Sequence, residues 1–136
     1  MLWRMGNRAV APFTIEGWEE DVYDERPGAR LSRTRITKTF TGDFAGTSEV
    51  SALMCAGAVE GSAAYVGFER FTGSLHGRTG TFVLHHTASG SGGRRGGSWT
   101  IVPDTGTGEL TGLSGTGEIS VDEDGAHTLV LEYELG

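Results

Sequence analysis

The segment PDTGTGELTGLSGTGEI, residues 103–119, carries five glycines and contains the motif GTGE twice, at 106–109 and 115–118. A phosphate-binding loop of the Walker type would end in GK[ST], and the segment has no lysine. A dinucleotide fingerprint would need a third glycine with a helix behind it, and both are missing. A flexible linker is a poor interpretation, because Leu110, Leu113 and Ile119 are spread through the segment. We therefore predict a bent β-strand with glycines at its bends.

The same composition continues in both directions along the chain, where glycines separate runs of aromatic and β-branched residues. The longest glycine-free run, residues 29–41, alternates Thr with Ile and Phe, which is typical of a strand and not of a helix. We predict eight strands, at residues 10–22, 31–41, 44–56, 63–75, 78–88, 98–103, 109–121 and 126–135. Residues 48–56 would also suit a short helix. Short strands without βα alternation predict an all-β, antiparallel sandwich or barrel.

Length, charge and cysteine content limit the function classes. A chain of 136 residues favours one domain. Its formal net charge of −7 argues against a nucleic-acid partner, since phosphate contacts need clustered Lys and Arg. The single cysteine, Cys55, excludes an internal disulfide. Since we find neither a signal-peptide pattern nor an apolar run of the roughly 20 residues that span a membrane, we expect a cytoplasmic protein with no membrane partner.

Several segments together resemble an uncharacterised bacterial family whose fold is the eight-stranded barrel of the allene-oxide-cyclase type, related to the calycins. They are FTIEGWEEDVY (13–23), TKTFTGDFAGTS (37–48), GFERFTGSLHGRTGTFVLHH (67–86), WTIVPDTGTGELTGLSGTG (99–117) and AHTLVLEYEL (126–135). The resemblance implies a single antiparallel, calycin-like barrel over residues 13–136. Residues 1–12 match nothing in it, and we predict that they form an N-terminal extension.

Strand alternation predicts which polar side chains share a face of the hairpin 63–88. If His76 and Gly77 form its tip, one face carries an aromatic set with one carboxylate and one imidazole: Tyr65, Glu69, Phe71, Phe82, Leu84 and His86. A glutamate beside a histidine in an apolar enclosure is typical of a general acid/base pair. We therefore predict Glu69 and His86 as catalytic candidates, and Tyr65, Phe71, Phe82 and Leu84 as ligand contacts. The resemblance matches Tyr65, Glu69 and His86 to recurrent polar positions of the family.

Other interpretations of this hairpin remain open. Glu69 and His86 would also suit a hydrogen-bonded pair that fixes strand register, because buried polar groups need partners whatever their role. If the faces are reversed, Arg70 and His85 replace them inside the barrel.

Residues outside the hairpin add further ligand candidates. Trp99 is expected to cover an opening of the barrel, and His127 and Tyr133 share the apolar face of the last strand. We predict no metal site, because neighbouring His85 and His86 point to opposite faces of a strand and no HxH, CxxC or HExxH spacing is present. The glycine-rich segment SGSGGRRGG, residues 89–97, is predicted as a mobile loop at a barrel mouth.

Two functions follow as expectations. The first is a barrel that holds one small apolar or amphipathic molecule in its lumen. The alternative is a cofactor-free cyclase or isomerase that folds a reactive substrate there, with Glu69 and His86 as its acid/base pair. A barrel packed solid, acting through its surface or as a homo-oligomer, is a third interpretation. None of the three needs a cofactor.

Overall fold

The computed structural model describes residues 6–136 as eight consecutive antiparallel strands that close into one barrel in chain order. The all-β, eight-stranded barrel predicted from the sequence is confirmed. Residues 48–56, for which a helix was an alternative, lie in a strand. The elements are β1 (Asn7–Arg26), β2 (Ala29–Phe40), β3 (Phe44–Gly57), β4 (Ala63–Leu75), β5 (Arg78–Ser91), β6 (Arg94–Ile101), a 3-10 turn (Gly108–Leu110), β7 (Leu113–Val121) and β8 (His127–Leu135).

The barrel begins earlier than residue 13. Residues 7–13 of β1 pair with residues 127–133 of β8, so residues 7–12 belong to the barrel and not to an N-terminal extension. Ala9 and Ala11 are almost completely buried in this pairing. Alanine is only weakly hydrophobic, so these two inward positions give little of the alternation by which a strand is recognised in a sequence. The start of the barrel was therefore predicted too late in the chain. Residues 1–5 of the predicted extension lie outside the described residues.

The two GTGE motifs have different structures. The second, at 115–118, lies in β7 as predicted, whereas the first, at 106–109, lies in the loop before β7 and enters the 3-10 turn. A continuous strand over 109–121 is therefore wrong. The loop passes so close to itself that a Cβ on Gly106 would lie 2.0 Å from the carbonyl oxygen of Leu110. It places the fully buried Leu110 side chain in the core at this end of the barrel.

The predicted mobile loop at 89–97 is instead a tight β-hairpin. β5 continues to Ser91 and β6 starts at Arg94, so Gly92 and Gly93 alone make the turn. Both have a positive φ, 56° and 78°, which two-residue hairpin turns require and glycine adopts without strain.

The two ends of the barrel differ in packing. At the packed end, formed by the turns at 41–43 and 76–77 and the loop at 102–112, an apolar cluster fills the interior: Ala9, Ala11, Phe13, Phe40, Phe44, Phe71, Leu75, Phe82, Leu84, Ile101, Leu110, Leu113, Leu129, Leu131 and Tyr133. At the open end, formed by the turns at 27–28, 58–62, 92–93 and 122–126, β1 extends well beyond its last pair with β8, Phe13 with His127. The ladder of β6 with β7 has just two pairs, Trp99 with Gly117 and Thr100 with Thr116. Because β7 and β8 are short, the hydrogen-bonded pairing of β6 with β7 and of β8 with β1 does not extend to the open end of the barrel.

Candidate functional site

The hairpin of β4 and β5 presents the predicted face to the interior. Leu75 pairs with Arg78 across a two-residue turn, and Phe71 pairs with Phe82, which is the register that the alternation argument requires. Glu69 and His86 are buried, whereas Arg70 and His85 are exposed on the outer surface. The reversed assignment of the faces is therefore wrong.

A line of contacts runs along the inside of the barrel toward its open end, from Glu69 through His86 to Tyr65. Nε2 of His86 lies 2.8 Å from Oε1 of Glu69, although its N–H is directed off the line to that oxygen. The other ring nitrogen, Nδ1, lies 3.2 Å from the hydroxyl oxygen of Tyr65. The imidazole thus connects a buried carboxylate to a phenol, an arrangement through which a proton can be passed or held.

Two further polar groups reach Glu69, one from the adjacent strand β3 and one from β2. The Lys38 ammonium on β2 lies 3.2 Å from Oε2 of Glu69, and the Ser48 hydroxyl on β3 donates a hydrogen bond to the same oxygen. The sequence analysis missed both residues. Lys38, the only lysine of the chain, lies between Ile36 and Phe40 at inward positions of β2, and this placement of a charge in an apolar alternation was the available signal.

These contacts decide the ionisation of Glu69. Burial raises the pKa of its carboxyl and is the largest single influence. The contact with His86, the positive charge of Lys38 and the hydrogen bond from Ser48 together outweigh burial, so the pKa lies below its ordinary value. Glu69 is therefore an anion at neutral pH, held by Lys38, Ser48 and His86.

A pocket of about 1000 Å³ occupies the open end of the barrel. Tyr65 and Trp99, both predicted as ligand contacts, lie in its wall. Much of the remaining wall consists of small residues: Ala56, Gly61, Ala63, Ala64, Ala88, Ser89, Gly90, Gly96, Gly97, Ser98 and Gly117. Glu69 and His86 do not line it, since they lie deeper in the barrel and reach it through Tyr65.

Tyr65 and Trp99 meet beside the His86 ring. The indole ring stands edge-on to the imidazole with a centroid distance of 6.2 Å. Burial raises the pKa of the Tyr65 phenol, although the nearby indole N–H of Trp99 opposes this by favouring the phenolate. Tyr65 is therefore a neutral phenol at physiological pH, able to donate or to accept a hydrogen bond.

Four predicted ligand contacts lie in the packed end and cannot line the pocket. Phe71 and Phe82 stack with a centroid distance of 4.6 Å, and Leu84 is completely buried beside them. Tyr133 is buried in the same cluster, and its hydroxyl contacts Nδ1 of His76 at the end of the barrel. The alternation identified their face correctly, but it carries no information on the level of the barrel at which a side chain lies.

His127, the remaining candidate, is half-buried and packs on the Phe13 ring with a centroid distance of 5.2 Å. It does not line the pocket. Within residues 6–136, no three His, Cys, Asp or Glu side chains are grouped closely enough to hold a metal ion. The same residues include no helix that is long and apolar enough to cross a membrane.

Comparisons with known proteins agree with this fold. The family model described as a protein of unknown function, DUF3224, matches residues 9–133. Among solved structures, the chain is similar to a DUF3224-family protein of unknown function from Shewanella oneidensis MR-1, with 32% sequence identity and a TM-score of 0.87. That similarity covers 96% of this chain and 98% of the Shewanella chain. A search of curated proteins gives no match.

Proposed function

The chain belongs to the DUF3224 family, whose function is unknown, and we propose from its own geometry that it binds one small apolar or amphipathic molecule in the pocket at the open end. A location in the cytoplasm, and a small molecule in place of nucleic acid as partner, are parts of the same proposal. The net charge of −7 and the single cysteine support them.

The observation that carries the proposal is the contrast between the two ends of one lumen. Buried apolar side chains, mostly aromatic residues and leucines, occupy the packed end. At the open end the inward positions hold small residues such as Ala63, Ala88 and Gly117, and a volume of about 1000 Å³ remains. This volume is at the upper end of the range for pockets that enclose one drug-sized molecule.

The test combines native mass spectrometry of freshly purified protein with a variant that fills the pocket. We expect a reproducible small-molecule adduct that solvent extraction recovers. Ala88→Phe places a ring in the pocket and is expected to remove the adduct, whereas Ala58→Phe, on the exposed turn between β3 and β4, is expected to keep it. A mass without adduct, which persists after incubation with lipids, polyketides and terpenoids, would contradict the proposal.

A second candidate function is a cofactor-free cyclase or isomerase with Glu69 and His86 as the acid/base pair. The observation that favours it is the connection of this pair to the pocket through the Tyr65 hydroxyl. A substrate would exchange its proton with the Tyr65 hydroxyl. His86 and Glu69, which lie deeper in the barrel, would determine whether Tyr65 gives up or takes that proton. A pocket that holds a flexible substrate in a reactive conformation lowers the barrier further.

Deuterium incorporation separates enzyme from binding protein. The extracted ligand is incubated with the protein in D₂O, and its mass is followed with time. An acid–base cyclase or isomerase is expected to yield a rearranged or deuterated product, with the rate lost in Tyr65→Phe while ligand affinity is kept. Unchanged mass and structure of the ligand after long incubation would leave only the binding function.

A further inference from the structure

The strand β1 has an unpaired edge beyond Phe13, on the side toward the open end. Its pairing with β2 continues to Arg26, but its pairing with β8 on the other side ends at Phe13. Within residues 6–136, no backbone hydrogen bond is made to Gly17–Val22 on that second side. Every second residue of an antiparallel pair directs its N–H and C=O groups away from the partner strand, so half of the backbone groups of this stretch are free. A further strand can add to an edge of this kind.

The inner face of this edge is apolar and uncovered. Trp18 and Val22 are the cross-strand partners of the buried residues Ile36 and Ser32 of β2, so their side chains are on the inner face of the sheet. Nevertheless, 53% of Trp18 and 39% of Val22 are exposed. They are exposed because residues 6–136 supply no strand beside β1 at this level. The inward side chains of an added strand would cover both.

The outer face of the same stretch is acidic. Glu19 and Asp21 are exposed there, and neither forms an ion pair with any of residues 6–136. Arg35 and Arg33 are their cross-strand partners on β2. However, Arg35 is paired with a glutamate of β3, and Arg33 lies over the Tyr23 ring, 4.5 Å from its centroid. The two carboxylates are therefore available to cations from outside the chain.

We propose that the edge at Gly17–Val22 binds an extended, basic peptide segment of a partner protein by strand addition. Apolar side chains of the segment lie inward on Trp18 and Val22, and the basic side chains between them face Glu19 and Asp21 on the outside. The register of β1 with β2 shifts on either side of this stretch, which limits the regular edge to six residues, or roughly 20 Å. The partner motif is thus an alternation of Arg or Lys with apolar residues over this length.

The charges of the edge select against a second copy of this chain as the added strand. Two β1 edges placed together would bring the carboxylates of Glu19 and Asp21 from both copies onto one outer face, where like charges repel. The formal net charge of −7 adds to that repulsion. A basic segment is attracted by the same charges, which raises its rate of encounter with the edge.

Fluorescence anisotropy with labelled peptides of six residues tests the strand addition. The probe is fluorescein-labelled RVRVRV amide, and the block peptide RRRVVV has the same composition without the alternation. Two further versions of RVRVRV carry N-methyl groups on the valines or on the arginines, because only one of these sets directs its N–H groups to β1 in an added strand. We expect RVRVRV to bind more tightly than RRRVVV. One N-methylated version is expected to raise the Kd at least about tenfold through lost backbone hydrogen bonds, while the other changes it less than about threefold.

Variants of the protein locate the binding edge. Glu19→Gln combined with Asp21→Asn is expected to raise the Kd of RVRVRV several-fold, and so is Trp18→Thr. The matched control is Glu123→Gln combined with Asp124→Asn, which removes two charges from the exposed turn between β7 and β8. The control is expected to leave the Kd unchanged.

Three results would overturn the proposal. The first is the absence of RVRVRV binding. The second is equal binding of the alternating and block peptides, or of the two N-methylated versions, since either result would indicate attraction by charge alone. The third is binding that persists in the Trp18 variant and in the Glu19 and Asp21 variant, which would place the peptide elsewhere on the protein. The small-molecule adduct is measured separately, so the proposed binding function does not depend on these results.

Discussion

The buried ion pair between Lys38 and Glu69 makes a quantitative prediction about stability. Both side chains are at least nine-tenths buried, with 7% and 1% of their surfaces exposed. Removal of one partner leaves the other as an uncompensated charge inside the barrel, which typically costs about 3–5 kcal/mol. Lys38→Met keeps an unbranched apolar side chain at this position but removes the ammonium nitrogen, which also lies 4.6 Å from the centre of the Phe13 ring. It is therefore expected to lower the free energy of unfolding by about this amount, as is Glu69→Gln.

The double variant distinguishes the ion pair from simple loss of packing. Lys38→Met with Glu69→Gln leaves no unpaired charge, so we expect it to cost less than either single change, with a coupling energy of at least about 2 kcal/mol. For a chain of this length the single variants would melt roughly 12–20 °C lower than the parent. Guanidinium chloride unfolding, followed by circular dichroism and tryptophan fluorescence, measures all four proteins.

The matched control is the exposed pair of Arg35 and Glu49 on the outer face of β2 and β3. Their atoms are 2.9 Å apart, but about half of each side chain is exposed, so solvent screens the pair and the same cycle should give a coupling energy several-fold smaller than that of the buried pair. A cost below about 1 kcal/mol for Lys38→Met, or additive costs for the two buried substitutions, would refute the reasoning.

Two more predictions follow from the interior of the barrel. Because contacts with partners hold the pKa of Glu69 below its ordinary value of 4.5, folding is favoured while the carboxyl is ionised, and this contribution is lost as the pH falls below about 4.5 through the depressed value. Acid unfolding should accordingly be steeper in the parent than in the variant carrying both Lys38→Met and Glu69→Gln, and equal slopes would show that Glu69 is not the group responsible. The second prediction concerns Gly46, which pairs with Gly73 and on which a Cβ would lie 2.2 Å from the carbonyl oxygen of Thr72. Gly46→Ala is expected to destabilise the protein by about 1–3 kcal/mol, because the added methyl group forces β3 and β4 apart. Gly96→Ala is the control and should have a small effect, because there is open space around Gly96. Similar melting temperatures of the two variants would contradict this prediction.

The alternation of side chains was sufficient to predict much of the site. It placed Tyr65, Glu69 and His86 on one face of a hairpin, because a two-residue turn and a period of two determine the faces of both strands together. It also separated His85 from His86, and the structure has His85 on the outer surface against Phe68.

Side-chain alternation does not predict how far along the barrel axis a residue lies. Phe71 and Phe82 share their face with Tyr65, yet they are packed solidly at the other end of the lumen. Lys38 and Ser48 were missed for a related reason, because their contact with Glu69 joins residues 31 and 21 positions apart in the chain.

The sequence by itself determined the antiparallel strands and the inward face of the central hairpin, because these depend on local alternation and turn residues. The choice of a barrel over a sandwich came from the resemblance to the family. The tertiary structure alone decided which level of the lumen is filled, and it brought Lys38 and Ser48 to Glu69. It also left Tyr65 and Trp99 facing the open pocket. The physical reason is the stagger of neighbouring strands, which sets the height of each inward residue only when the barrel closes on itself.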